Sequence, residues 1–449
     1  PQRRTPVPNP QQPARDPHPA AAPEPVELVQ RRTMRVLVIM QIIGTVGVGV
    51  APSIGVLLAG EVTQNEAWAG LARTASTLGA ALLGLPLGNL AARRGRRVAL
   101  ASGWWTAAAG AAILVAAAQW SLVVPLFIGL LLIGAGSAVS LQARFAATDL
   151  AEPHHKGRSL ALVVWVGTIG SVLGPNLGVP GEILHRATGL SVFAGAFLVA
   201  AVCLGLAGVI VFLRLRPDPL LILQATAASA ASAPAHSAAR SPALSPTEPA
   251  GKKRAPVRRI LAELRTNRPA RFAMIAILSA QVVMVSIMTM TPVHIAHQGG
   301  SISIIGITIS LHIAGMYALA PVVGFIVDRY GHRPSIGAGL LIFLASASIG
   351  ASRPSDTGWI MVSLFLLGVG WSFVNVAGSA LFSRVVSAET RASSQGGVDA
   401  LANLCGAVAA FAAGPLLAAS SFPVLSVLAT AVLLPLAVLT VRRRPSAAA

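Results

Sequence analysis

Charge is scarce in this chain. Asp, Glu, Lys and Arg make up 11% of its 449 residues, 54% are hydrophobic and the mean hydropathy is +0.71. A soluble globular protein carries roughly 25% charge, spread along every element. Here the charges sit in short islands between apolar runs of about 20 residues, the length that crosses a bilayer, which excludes a soluble multidomain architecture. Cysteine is nearly absent: Cys203 and Cys405 lie within apolar stretches and offer neither a disulfide framework nor a metal-ligand pair, so no metal site is expected. Aromatic residues, at 5%, leave little material for a cage around a large cation. No G-x-x-x-x-G-K-[ST] phosphate loop occurs, and Ser, His and carboxylates never fall in a nucleophile motif. Neither an enzyme nor a bound cofactor is expected, and an ion gradient, most simply of protons, is the expected energy source.

The charge that is present has one sign, 34 Lys and Arg against 15 Asp and Glu. Clusters such as Arg93, Arg94, Arg96 and Arg97 sit at the ends of apolar runs, which points to the positive-inside bias rather than to nucleic acid. Apolar spans are read near 36–60, 68–90, 98–118, 121–146, 159–180 and 190–213, then near 271–293, 302–327, 334–351, 358–383, 393–419 and 422–441. The stretch 217–257 between the two sets is rich in Ala, Ser and Pro, a composition that buries too little surface to fold. The expected organisation is a cytoplasmic tail at 1–33, a six-helix bundle at 34–215, a partly disordered cytoplasmic linker at 216–268, a second bundle at 269–442 and a tail at 443–449. Within the linker, 258–268 reads RRILAELRTNR, either a basic amphipathic helix on the inner leaflet or an ordinary cytosolic turn. With the amino terminus inside, the outer loops hold only Arg186 and Arg353 among Lys and Arg, so both termini are expected on the cytoplasmic side of the plasma membrane.

The two sets of spans repeat one another. Gly88 to Arg97 reads GNLAARRGRR after the second span and Gly324 to Arg333 reads GFIVDRYGHR after the eighth. Gly174-Pro175 recurs as Gly414-Pro415, and Gly134-Ala135-Gly136 as Gly368-Val369-Gly370, at nearly the same offset. Six is even, so the halves enter the membrane in the same direction, as parallel repeats. With these markers the sequence resembles the major facilitator superfamily over residues 33–444. The family's loop signature G-x-x-x-D-R-x-G-R-R is matched by Gly88, Arg93, Gly95, Arg96 and Arg97, and by Gly324, Asp328, Arg329, Gly331 and Arg333 in the second copy. The resemblance implies an all-α membrane fold of twelve transmembrane helices, action as a monomer, and loops that latch the cytoplasmic side. The first copy departs from the pattern in having Ala92 where the family has a carboxylate; the contact of that carboxylate to the other half is then either missing or supplied by Asp149 or Glu152, with Arg158 counted among the gating loops. Gly170, Gly174, Pro175 and Gly178 resemble the fifth-helix motif of the family's drug/proton antiporters, and also suit a plain packing strip. The arginine those exporters carry in the fourth span is Leu130 here, with Arg144 nearer the inner end.

Ionisable groups inside apolar spans are costly and therefore functional candidates. His312 lies about 15 Å into the eighth span, as a proton carrier or as a packing histidine. Asp399 lies about 9 Å from the inner end of the eleventh, as a proton carrier, a partner of Arg391 or part of a latch. Arg73, near the outer end of the second span, either snorkels outward or pairs with an acidic or anionic group. Gln41, Asn176, Gln281, Asn375 and Asn403 line a cavity or bridge helices, and His294 and His297 sit near the outer mouth. The expected activity is alternating access with proton-coupled efflux of a small amphipathic compound. Nutrient uptake by symport is the alternative, and a non-transporting sensor or membrane enzyme the reading from another class.

Overall fold

The computed structural model describes residues 25–65, 67–152, 155–232, 266–387 and 391–441. The expectations for 1–24, for 233–265 and for Arg442 to Arg444 lie outside the described residues. Every regular element among those described is helical. Ten helices are long and apolar enough to cross a membrane, and the pair Phe422–Ala431 and Leu434–Val441, bent by 40°, adds one more crossing. Ala67–Trp120 spans 54 residues, about 80 Å at 1.5 Å per residue, far more than a hydrocarbon core of about 30 Å requires. Gly95 interrupts it with φ 87° and ψ 172°, so it is two crossings and the total is twelve.

These are α1 (Val26–Thr63), α2 (67–94), α3 (96–120), α4 (Val123–Ala146), α5 (Lys156–Thr188) and α6 (Val192–Arg214), then α7 (Arg268–His297), α8 (Ile302–Tyr330), α9 (His332–Ser352), α10 (Thr357–Val385), α11 (Arg391–Ala419) and α12 (Phe422–Ala431 with Leu434–Val441). One apolar core, with Leu37, Trp104, Leu130 and Phe197 at its centre, draws on α1 to α6. A second, with Phe343, Leu364 and Leu425, draws on α7 to α12 and takes in Val56 and Ala69 from the first half, with Leu57 and Val172 packed against it. Leu82, Phe145, Val202, Leu341 and Val427 face outward, as side chains do where the surrounding medium is hydrocarbon.

The repeat markers do the same work twice. A Cβ on Gly134 of α4 would meet the α2 backbone at Ser76 to Ala80, and one on Gly368 of α10 would meet the α8 backbone at His312 to Met316. Two residues on, Gly136 lies against the Trp104 ring of α3 and Gly370 against the Phe343 ring of α9. Small residues thus let equivalent helices approach closely in both halves.

Two features differ from the sequence expectation. α1 begins at Val26, inside the stretch assigned to a tail, with Val29 and Thr33 buried and Gln30 Nε2 donating to the Ala147 carbonyl at 2.8 Å. Its first two turns are too polar for a hydropathy window, yet they dock on the end of α4. Residues Pro219–Ser232, assigned to a disordered linker, form a helix opened by Asp218 as cap and Pro219 at the first position, a favoured pairing. Prolines locally reset the helices at 51–55 in α1 and 174–177 in α5, where a missing backbone donor changes the hydrogen-bond register.

A cleft between the two halves as candidate functional site

The halves meet along α2 with α11 and along α5 with α8, at the membrane face poor in arginine. A Cβ on Gly70 would overlap the Ala410 carbonyl oxygen, and one on Gly414 would meet Ala67 and Gly70. One turn further in, Thr74 Oγ1 donates to the Ala407 carbonyl at 2.8 Å. On the other side of the molecule Gly178 lies on Ile302 and Gly306 on Pro175 and Asn176. Asn176 Nδ2 donates to Ser310 Oγ at 2.7 Å, and Ser310 Oγ in turn donates to the Val172 carbonyl at 2.5 Å.

Toward the arginine-rich face the same helix stripes lose their partners. The stripe of α2 that carries Gly70 and Thr74 continues as Ala81, Leu85, Gly88 and Ala92, all exposed, and the stripe of α11 that carries Ala407 continues back to Asn403, Asp399 and Gly396, also exposed. An added Cβ would meet nothing at Gly88, Gly157, Gly324 or Gly396. The halves form a wedge, sealed at one face and open at the arginine-rich one.

Electrostatic interactions link four ionisable side chains around this cleft. The fields of Arg73 from α2 and Arg144 from α4 both reach Tyr317 of α8, and the field of Arg144 reaches Asp399 of α11. Arg73 is half-buried, and its guanidinium lies within reach of Tyr317 in the other half, so it is directed inward and does not snorkel to the near membrane face. The Arg73 side chain has no hydrogen bond or ion pair among the described residues, and Arg144 Nε is enclosed without a partner. Tyr317 meets Trp371 edge to face at 5.7 Å, and Trp371 Nε1 donates to Gln281 Oε1 at 3.1 Å.

The charge of Arg73 is also felt at His312. His312 is fully enclosed, with Nδ1 2.8 Å from the Leu364 carbonyl oxygen, the environment of a packing histidine. Gln41 is buried against Ser140 of α4, to which its Nε2 donates, and Asn176 bridges the halves. Asn403 Nδ2 donates to the Asp399 carbonyl at 3.0 Å, whereas Asn375 is half-buried on α10. His294 stacks on Phe422 at 4.3 Å and bonds the Pro354 carbonyl.

At the arginine-rich face, Arg96 Nε and Nη2 donate to Asp149 at 2.8 Å and 3.3 Å. A bidentate pair of this kind is a strong charge-assisted contact. The Asp218 carboxylate accepts from Arg97 N at 2.7 Å and from Leu220 N at 3.0 Å, so it caps both α3 and the helix that follows it. Arg97 lies over the Phe212 ring at 5.3 Å and Arg333 over Phe272 at 5.2 Å.

A sequence model described as Major Facilitator Superfamily matches residues 36–304 and 294–449. The chain belongs to that superfamily. It is 36% identical over 413 residues to the uncharacterized MFS-type transporter YdeG of Bacillus subtilis (strain 168), covering 91% of each chain. It is 27% identical over 428 residues to the riboflavin transporter RfnT of Brucella anthropi, covering 93% of this chain and 98% of that one. Among solved structures, an inward-facing, unoccupied bacterial homolog of the human lysosomal transporter Spinster superposes with a TM-score of 0.65 at 16% identity, over 93% of this chain and 97% of that one. A multi-pass membrane transporter of the Major Facilitator Superfamily, with a small-molecule substrate, is thereby shown.

Set against this superfamily fold, the fifth-helix motif divides its labour. Gly170 and Gly174 seat α5 on α1 at Thr45 and Gly49, whereas Pro175, Asn176 and Gly178 face α8 across the interface between the halves. Reading the sequence missed Tyr317, Trp371, Ser310 and Asp218. Tyr317 had a signal, being one of only two tyrosines in the chain and lying in an apolar span. Asp218 had one too, in the Pro-Asp-Pro run that starts a helix.

Proposed function

We propose that this transporter works by alternating access as a proton-coupled exporter of a small amphipathic compound with an anionic or acceptor-rich group, acting as a monomer in the plasma membrane with both termini cytoplasmic. The observation that carries the reading is the unpaired Arg73 at the sealed end of a cleft whose open end holds Arg144 and Asp399. A cation without a counter-ion deep inside a membrane protein is expensive and points to an incoming partner. Tyr317 and Trp371 supply an aromatic wall for the apolar part of the substrate. Asp399 is the proposed proton carrier, because it is exposed to the cleft while His312 is sealed from it. The gating loops, through Arg96 and Asp149 with Gly88, Arg93, Arg97, Arg158, Asp328, Arg329, Gly331 and Arg333, border the open end. By the positive-inside bias that end is cytoplasmic, and the fifth-helix motif supports the outward direction. One charge moved through about 100 mV is worth about 2.3 kcal/mol, enough for a roughly fiftyfold gradient.

Vesicles with an imposed pH gradient test the reading, using compounds first selected by toxicity and accumulation in cells with and without the protein. Riboflavin belongs in that set because of the relative that carries it. Asp399→Asn should abolish acceleration by the gradient while leaving downhill exchange. Undiminished proton-driven transport would remove Asp399 from the mechanism, and accumulation inside expressing cells would reverse the direction.

A further inference from the structure

The two glycine turns of the repeat have nearly the same backbone, Gly95 at φ 87° and ψ 172°, Gly331 at φ 90° and ψ 168°. Each opens a long helix whose first N–H groups lack intrahelical partners and carry partial positive charge. In the first half that end is filled: the Asp218 carboxylate lies against Gly95 and accepts from Arg97 N at 2.7 Å. In the second half no side chain caps α9 among the described residues, and a Cβ on Gly331 would meet nothing.

Beside this uncapped end is a cavity of about 970 Å³ lined by Arg268, Arg271, His332 and Arg333, with Phe272 and Leu439 among its apolar residues. Arg268 and Arg271 are exposed on the first turn of α7 and Arg333 on the first turn of α9, so three cations converge from two helices. His332 Nδ1 is enclosed and has no hydrogen-bond partner. We infer that this cavity binds the phosphate of an anionic phospholipid, which takes in the second half the place that Asp218 takes in the first. A basic pocket between helices at the arginine-rich membrane face fits a lipid headgroup, and the apolar side chains below it fit the start of an acyl chain. A free phosphate shares the headgroup chemistry without using those apolar walls.

The test is thermal unfolding of the purified full chain in detergent, with phosphatidylglycerol, phosphatidylcholine or inorganic phosphate added. Phosphatidylglycerol should raise the midpoint by several degrees in the parent. That shift should vanish in Arg268→Gln/Arg333→Gln and persist in Arg31→Gln/Arg32→Gln, which removes equal charge elsewhere on the same face. Native mass spectrometry of the same samples should show one phosphatidylglycerol retained by the parent and by the control pair, and none by the cavity pair. An equal shift with phosphatidylcholine, or the same loss in both double variants, would overturn the site. An equal shift with inorganic phosphate would overturn the lipid assignment.

Discussion

Gly70 and Gly79 lie on the same helix, and an added methyl at either would overlap a backbone carbonyl oxygen, that of Ala410 for Gly70 and that of Leu131 for Gly79. The difference is where the oxygen belongs. Ala410 is on α11, in the other half, and Leu131 is on α4, in the same half. Gly70→Ala also places its Cβ 3.1 Å from the Ala410 carbonyl carbon and 3.2 Å from Gly414 N, so α2 and α11 must part by on the order of 1 Å to reach ordinary contact. Overpacking of this kind costs about 1–3 kcal/mol. For Gly70→Ala the cost falls only on the conformation in which the halves touch at the arginine-poor face, so the ratio of the two conformations moves by about 5- to 150-fold. For Gly79→Ala the clash persists in both conformations, so the melting temperature falls and the ratio stays fixed. Spin labels on Lys156→Cys and Tyr330→Cys, at the arginine-rich ends of α5 and α8, read the ratio as a distance distribution by double electron–electron resonance in a Cys203→Ala/Cys405→Ala background. Gly70→Ala should populate a shorter distance and Gly79→Ala should not. If Gly70→Ala lowers the melting temperature and leaves the distribution as it was, the α2–α11 contact is not a gate.

Gly95→Ala and Gly331→Ala should both destabilise, by about 1–3 kcal/mol for a backbone region open essentially to glycine alone. Gly95→Ala should be the worse of the two in a detergent melt, because its methyl also displaces the Asp218 carboxylate. Asp149→Asn keeps the shape and removes the counter-ion of Arg96; with side-chain exposures of 14% and 10% for the pair, the expected loss is about 3 kcal/mol, and the exchanged pair Arg96→Asp/Asp149→Arg should recover part of it. Asn176→Ala removes the hydrogen bond between α5 and α8, worth about 1 kcal/mol. The same spin labels should report a shift of about fivefold away from the conformation described here.

Much of the fold was legible because lipid imposes a single rule, that apolar runs be long enough to cross. The rule failed at both ends of its range. It passed over residues 26–33, where Val29 and Thr33 are buried by docking rather than by hydropathy, and it assigned Pro219–Ser232 to a disordered stretch whose composition hid a capped helix. The repeat was legible because Gly134 and Gly368, and Gly136 and Gly370, meet equivalent partners, which constrains residue size at fixed spacing. The site was legible in parts. Arg73 and Asp399 stood out as charges within apolar runs, but Tyr317, the neighbour of Arg73 and Arg144, is brought to them only by packing between the halves. The carboxylate at the first arginine loop was sought near Ala92 and was assigned to Asp149 or Glu152. Asp149 does hold Arg96, within the first half and not across to the second, while the cap of α3 comes from Asp218, more than a hundred positions along the chain.

The bidentate bond between Arg96 and Asp149 joins two loops of a single half, so motion of one half against the other need not break it. The contacts described above at the arginine-poor face are uncharged: glycine against backbone, threonine to carbonyl, asparagine to serine. Contacts of that kind answer less to ionic strength than to membrane thickness or lateral pressure, which act on how closely bare helices lie.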